Sequence, residues 1–132
     1  MRSIIFLCLL TSFALFGCTT LQKKCVFHPA NPDGVDRDDI LCAMERDVVP
    51  KARECYEVIL HSEDPDYTQR VITRFELAPM GKAQGITIEP ADVRPKFATC
   101  ISDALGAAQF PTHTSAKPVK VLYPFLFRRS GH

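Results

Sequence analysis

From Ile40 the apolar residues fall at Leu41, Met44, Val48, Ala52, Cys55 and Ile59, a three-to-four spacing that buries one face of a helix. Pro50 stands inside this stretch. It has no amide to donate and its ring clashes with the preceding turn, which predicts a kink or a fresh start near Val49. The helical pattern ends at His61-Ser62, and Glu63-Asp64-Pro65-Asp66 reads as a loop. Then the period changes. Val71, Thr73, Phe75 and Leu77 alternate with Arg70, Ile72, Arg74 and Glu76, predicting a half-buried strand over 69–78. Pro79-Met80-Gly81-Lys82 is turn sequence, and 85–89 reads as a second short strand with Ile86 and Ile88 inward, completing an antiparallel hairpin. Helical spacing returns over 95–110, with Phe97, Cys100, Ile101, Ala104, Leu105 and Ala108 on one side and Phe110-Pro111 as the stop. After a polar loop, Val119, Val121, Tyr123, Phe125 and Phe127 share the core face of a last strand, while Lys120, Leu122, Pro124 and Leu126 share the other. Pro124 cannot donate to a ladder, so this strand belongs at an edge or carries a bulge. Leu122 and Leu126 on a nominally wet face predict either cover by a helix or a surface for a partner.

The helical and strand periods together predict an α+β fold over 38–132, with one core and Cys55 and Cys100 facing inward on its two helical segments. Upstream, 19–37 reads as a tether. Asn31-Pro32-Asp33-Gly34 is turn sequence. Asp33, Asp36, Asp38 and Asp39 invite a calcium reading, but glycine falls at the wrong place for an EF-hand loop and no glutamate stands at its closing position. Acidic residues at a helix start complement its dipole, and one of them can cap it.

The extreme N-terminus adds a compartment. Arg2 precedes an apolar run that ends at Gly17-Cys18, too short and too broken by Thr11-Ser12 for a spanning helix of about 20 residues. Residues 1–17 are therefore expected to be a secretory signal. Leu15-Phe16-Gly17-Cys18 resembles a bacterial lipobox, which implies acylation of Cys18 as the mature N-terminus. Thr19 stands where an aspartate would signal inner-membrane retention, so the outer membrane, facing the periplasm, is the expected address.

Cysteine usage fits an oxidising compartment. With Cys8 in the signal and Cys18 lipidated, Cys25, Cys42, Cys55 and Cys100 remain, and four cysteines allow three pairings. Cys42 and Cys55 would lie about 20 Å apart on one continuous helix, too far to bridge. Of the two pairings left, Cys55–Cys100 with Cys25–Cys42 joins core to core and tether to helix start. The basic and acidic totals are 16 and 15, and setting aside Arg2 leaves 15 against 15. That balance points to neither nucleic acid nor a polybasic membrane patch.

Cys55-Tyr56-Glu57, the strand pair split by Gly81 and Gly85, Cys100-Ile101, Phe110-Pro111 and Tyr123-Pro124-Phe125-Leu126-Phe127 resemble the AgmX/PglI C-terminal domain. That family is related to the TonB C-terminal domain, and the resemblance runs over about 47–128. It implies a three-stranded antiparallel sheet packed against two helices, in the order helix(es)-β-β-α-β. Members often end larger envelope proteins, some linked to gliding motility, and TonB-like domains engage partners by strand addition. Unlike TonB proper, the chain shows no transmembrane helix and no long Pro-rich spacer.

Catalytic chemistry finds little support. His28, His61, His113 and His132 fall in loops or at element ends without a motif, and no Gly-rich phosphate loop, His-Glu-x-x-His or Gly-x-Ser-x-Gly is present. No Cys-x-x-Cys or Cys/His spacing backs a metal site, and no cofactor is expected. A thiol-disulfide enzyme would need an exposed low-pKa thiolate, whereas the periodicity places Cys55 and Cys100 inward. The expected function is therefore a non-enzymatic, lipid-anchored binding or adaptor module. It would engage an envelope protein at the last strand through Lys120, Leu122, Pro124 and Leu126. The alternative is a structural component of a trans-envelope motility or transport machine.

Overall fold

The computed structural model describes residues 23–61 and 68–128. The expected signal over 1–17, the expected lipidation site Cys18, the expected loop Glu63-Asp64-Pro65-Asp66, His132 and the side chain of His61 lie outside the described residues. The fold is α+β. Helix α1 (Arg37–Ala43) passes through a π-helical segment (Met44–Val48) into α2 (Val49–Cys55), which ends in a second π-helical segment (Tyr56–His61). Strands β1 (Gln69–Leu77) and β2 (Ala83–Glu89) follow, then α3 (Pro95–Ala107) and β3 (Val119–Phe127). The three strands form one antiparallel sheet in the order β2-β1-β3. No described helix is long and apolar enough to cross a membrane.

Asp36 caps α1, its side chain accepting from the Asp38 amide at 2.8 Å. Pro50 sits in the first turn of α2, directly after the first π-helical segment. There the Val49 amide reaches back to the Met44 carbonyl, five residues away, so the turn widens where proline interrupts the ordinary ladder. This is the physical form of the expected kink. The second π turn carries the buried face forward: Tyr56 and Leu60 are buried, whereas Ile59, expected inward, is only partly covered.

Two further expectations require correction. The second long helix ends at Ala107 rather than at Phe110, and Ala108 is already extended. Beyond it the backbone is used elsewhere, with the Gln109 amide donating to Asp47 Oδ2 at 3.2 Å and the Phe110 amide to the Gly81 carbonyl at 2.9 Å. These contacts compete with another helical turn and allow Phe110 to enter the core. Cys100, expected in the buried stripe, is only partly buried, while its partner Cys55 is buried.

The disulfides join Cys25 to Cys42 and Cys55 to Cys100, each with Cα atoms 5.9 Å apart. From residue 23 onward, the stretch read as a tether is held to the domain by the first of these and by several further contacts. Phe27 packs against the core with the Arg46 guanidinium 5.5 Å from its ring centroid. The His28 amide donates to Asp39 Oδ2 at 2.8 Å, and Thr114 donates its amide to the Asn31 carbonyl. The expected turn closes between Asn31 and Gly34.

Asp47 ties the helical layer to the segment after α3. It accepts from Arg46 at 2.7 and 2.6 Å and from the Gln109 amide. The Arg46 hydrogen bond, helped by the Gln109 amide, holds the Asp47 carboxyl below its ordinary range against the opposing effect of burial. A depressed folded pKa contributes stability that is present above the unfolded value and lost as pH falls through the folded one. Asp47→Asn should therefore lower the thermal midpoint at pH 7. Its deficit relative to wild type should close as the pH drops below 3.8, the unperturbed value. Melting both proteins across pH 2–7 tests this, and a deficit that does not change with pH would detach the carboxylate's charge from the effect.

Candidate functional site

The alternation read in β1 and β3 is realised by their register. Nine consecutive pairs run from Gln69↔Phe127 to Leu77↔Val119. Val71, Thr73, Phe75 and Leu77 are buried beneath the sheet, as are Phe125 and Phe127, with Val119, Val121 and Tyr123 partly covered. Phe127 stacks on Tyr56 of the helical layer at 5.6 Å and meets Phe97 of α3 edge-on at 5.0 Å. One face of β3 is thereby committed to the core.

The other face carries the candidate residues. Leu126 lies opposite Arg70, Pro124 opposite Ile72, Leu122 opposite Arg74 and Lys120 opposite Glu76. Leu122 is 52% and Leu126 60% exposed, so no described helix covers them. Of the two sequence expectations for these leucines, cover by a helix is the one the fold does not fulfil. With Ile72, which is partly buried, the three side chains of Leu122, Pro124 and Leu126 make an apolar strip across two strands. Toward β2, Arg74 pairs with Glu89 at 3.0 Å. A shallow groove of about 420 Å³ opens beside Leu122, lined by Arg74, Glu76, Lys120 and the Cβ-free Gly85.

Pro124 does not break the ladder, and its surroundings explain why. The Tyr123 carbonyl accepts from Thr73 Oγ1 at 3.0 Å and so faces β1. The cis peptide in the described chain is Glu89-Pro90, so the Tyr123–Pro124 peptide is trans and the proline nitrogen points away from β1, toward the open side. Strand alternation then turns the amides and carbonyls of Lys120, Leu122 and Leu126 to that same side. Among the described residues β3 pairs only with β1. The residues that display their side chains on the outer face therefore also display their backbone at the free edge. The opposite edge differs. Between Arg74 and Glu76 the β1–β2 register shifts, and β2 carries Gly85 at φ 60°, a bulge that twists the outer strand.

Other clusters are accounted for by local structure. His113 is buried, its Nε2 lying 2.9 Å from the Leu77 carbonyl while Nδ1 accepts from the Ser115 amide, which fixes the neutral Nε2–H tautomer. His28, Asp36 and Asp39 bring ligand-capable atoms within 4.8 Å of one another. Asp36 is engaged as the helix cap, and Asp39 takes both the amide and the ring nitrogen of His28. The Asp39 hydrogen bond raises the His28 pKa above its ordinary value. Cys55 and Cys100 line a groove of about 410 Å³ between α2 and α3, walled by Val58, Ile59, Ala104 and Ala107.

Sequence reading placed Lys120, Leu122, Pro124 and Leu126 on one face, and the structure brings all four together with Ile72 and Arg70. Alternation already put Ile72 and Arg70 on the outer side of β1. Their alignment with Pro124 and Leu126 depends on cross-strand register, for which the intervening sequence carries no local signal. The chain matches no protein-family model, no curated protein and no solved structure.

Proposed function

We propose that this protein is a non-enzymatic binding module that captures an extended segment of an envelope protein along the free edge of β3. The observation that carries the reading is the coincidence, over 120–126, of an open backbone edge with exposed Leu122 and Leu126. An added strand gains main-chain hydrogen bonds from the edge and side-chain contacts from the apolar strip. Pro124 supplies a carbonyl but no donor, so the incoming segment forgoes one hydrogen bond there. The order of elements and the sheet order β2-β1-β3 support the likeness to TonB C-terminal domains, and the motifs quoted above support the AgmX/PglI affiliation. The lipobox-like 15–18 supports anchoring through Cys18 to the outer membrane, with the domain in the periplasm, a setting in which two disulfides are at home.

A photo-reactive side chain placed at Leu122, and separately at Leu126, tests the reading in cells that make the protein. A discrete adduct with one envelope protein is expected at both positions. Its identity would distinguish an adaptor from a fixed part of a trans-envelope machine. A folded protein that yields no adduct at either position would overturn the reading.

A further inference from the structure

We infer that the segment received by β3 is acidic, with a carboxylate placed against Arg70 and Arg128 and apolar side chains laid over Leu122, Pro124 and Leu126. This inference rests on the strand-addition reading above and adds the chemistry of the partner. The outer face of β1 and β3, continued to Arg128, carries Arg70, Arg74, Lys120 and Arg128 against Glu76, with Glu89 contributed by β2. Arg74 is engaged by Glu89, and Lys120 lies directly across from Glu76. What is left over is concentrated at one end. Arg70 sits opposite Leu126, and Arg128, which is exposed, follows one residue past the end of the strand, where continued alternation would bring it to the same face. Both arginines are exposed, and no described carboxylate pairs with either. An extended chain entering this edge with an acidic residue near Leu126 meets two guanidinium groups suited to bidentate carboxylate recognition. A basic segment would meet like charge at the same place.

An anionic bilayer surface would also favour exposed leucines beside arginines. It would leave the outward amides and carbonyls of Lys120, Leu122 and Leu126 without the strand partner that an extended peptide supplies. The observations therefore favour a polypeptide.

The probes are two synthetic peptides with the same alternating valine core, one flanked by aspartates and one by lysines. Each is titrated into the 15N-labelled full chain, with vesicles containing anionic phospholipid as a third probe. The aspartate peptide is expected to shift the amide resonances of Lys120, Leu122 and Leu126. Its affinity should fall about tenfold or more in the R70E/R128E double variant, whereas the lysine peptide should gain affinity there. The neutral R70Q/R128Q pair replaces the double reversal if the latter melts early, with a smaller loss expected for the aspartate peptide and a smaller gain for the lysine one. Equal binding of both peptides to the wild-type chain would overturn the charge assignment and leave strand addition standing. Binding of neither peptide would remove strand addition as well. Arginine-dependent binding to the vesicles, without peptide binding, would make this a membrane-docking face and overturn the inference.

Discussion

Replacing Cys55 with serine is expected to lower the stability of the domain by about 4 kcal/mol, by the loop-entropy relation for its 45-residue separation from Cys100. The bond joins the end of α2 to α3. Without it the unfolded chain regains the freedom of a loop that contains the whole β1–β2 hairpin. For a domain of this size the thermal midpoint should fall by roughly 15–30 °C. Thermal unfolding of wild type, Cys55→Ser and the reduced wild type measures it, and the reduced protein, which also loses Cys25–Cys42, should melt at or below Cys55→Ser. Unchanged melting in both would remove the cross-link from the account of stability. Because Cys100 is partly exposed in the groove between the helices, reduction should not require global unfolding. A thiol titration during mild reduction, with the fold monitored in parallel, would show this.

Gly81→Ala is expected to be the most damaging glycine-to-alanine change among the described residues. Gly81 has φ 78°, and a Cβ there would stand 2.2 Å from the Phe110 carbonyl oxygen, which is backbone and cannot rotate away. The same glycine accepts the Phe110 amide at 2.9 Å, so the turn after β1 and the extended segment after α3 are clamped face to face. Moving them apart would withdraw Phe110 from its contact with Phe75, whose ring centroid is 5.5 Å away. A loss of at least about 2–3 kcal/mol follows from strain and displaced packing together. Gly85→Ala is the control, because Gly85 also has positive φ but nothing within 4 Å of its added Cβ. It should cost only about 1–2 kcal/mol. Equal losses in the two variants, read from denaturant midpoints, would mean that backbone handedness and not the close approach governs position 81.

These two sites also show what the chain discloses and what it conceals. The inward Cys55, the alternation in β1 and β3 and the edge position implied by Pro124 were legible because each depends on local periodicity or on one residue's covalent limits. The clamp at Gly81 was not, since turn sequence marks a glycine without revealing which distant carbonyl crosses it. The same holds for the end of α3. Periodicity continues through Ala108, but tertiary hydrogen bonds from Gln109 and Phe110 stop the helix three residues before the expected boundary. The π turns that shift the buried face to Tyr56 and Leu60 lie below the resolution of a 3.6-residue template. For the candidate site, alternation exposed the side chains of Lys120, Leu122, Pro124 and Leu126. Only the fold supplied Ile72 and Arg70 as their neighbours.

The bulge at Gly85 makes the two margins of the sheet unequal, and that inequality sets a valence. A sheet extendable at both margins can pass its growth from copy to copy and build a fibre. Here one margin is regular over nine residues while the other is twisted out of register. Occupying β3 leaves no equivalent site behind, so the expected stoichiometry is one guest per domain, and assembly ends with the first encounter.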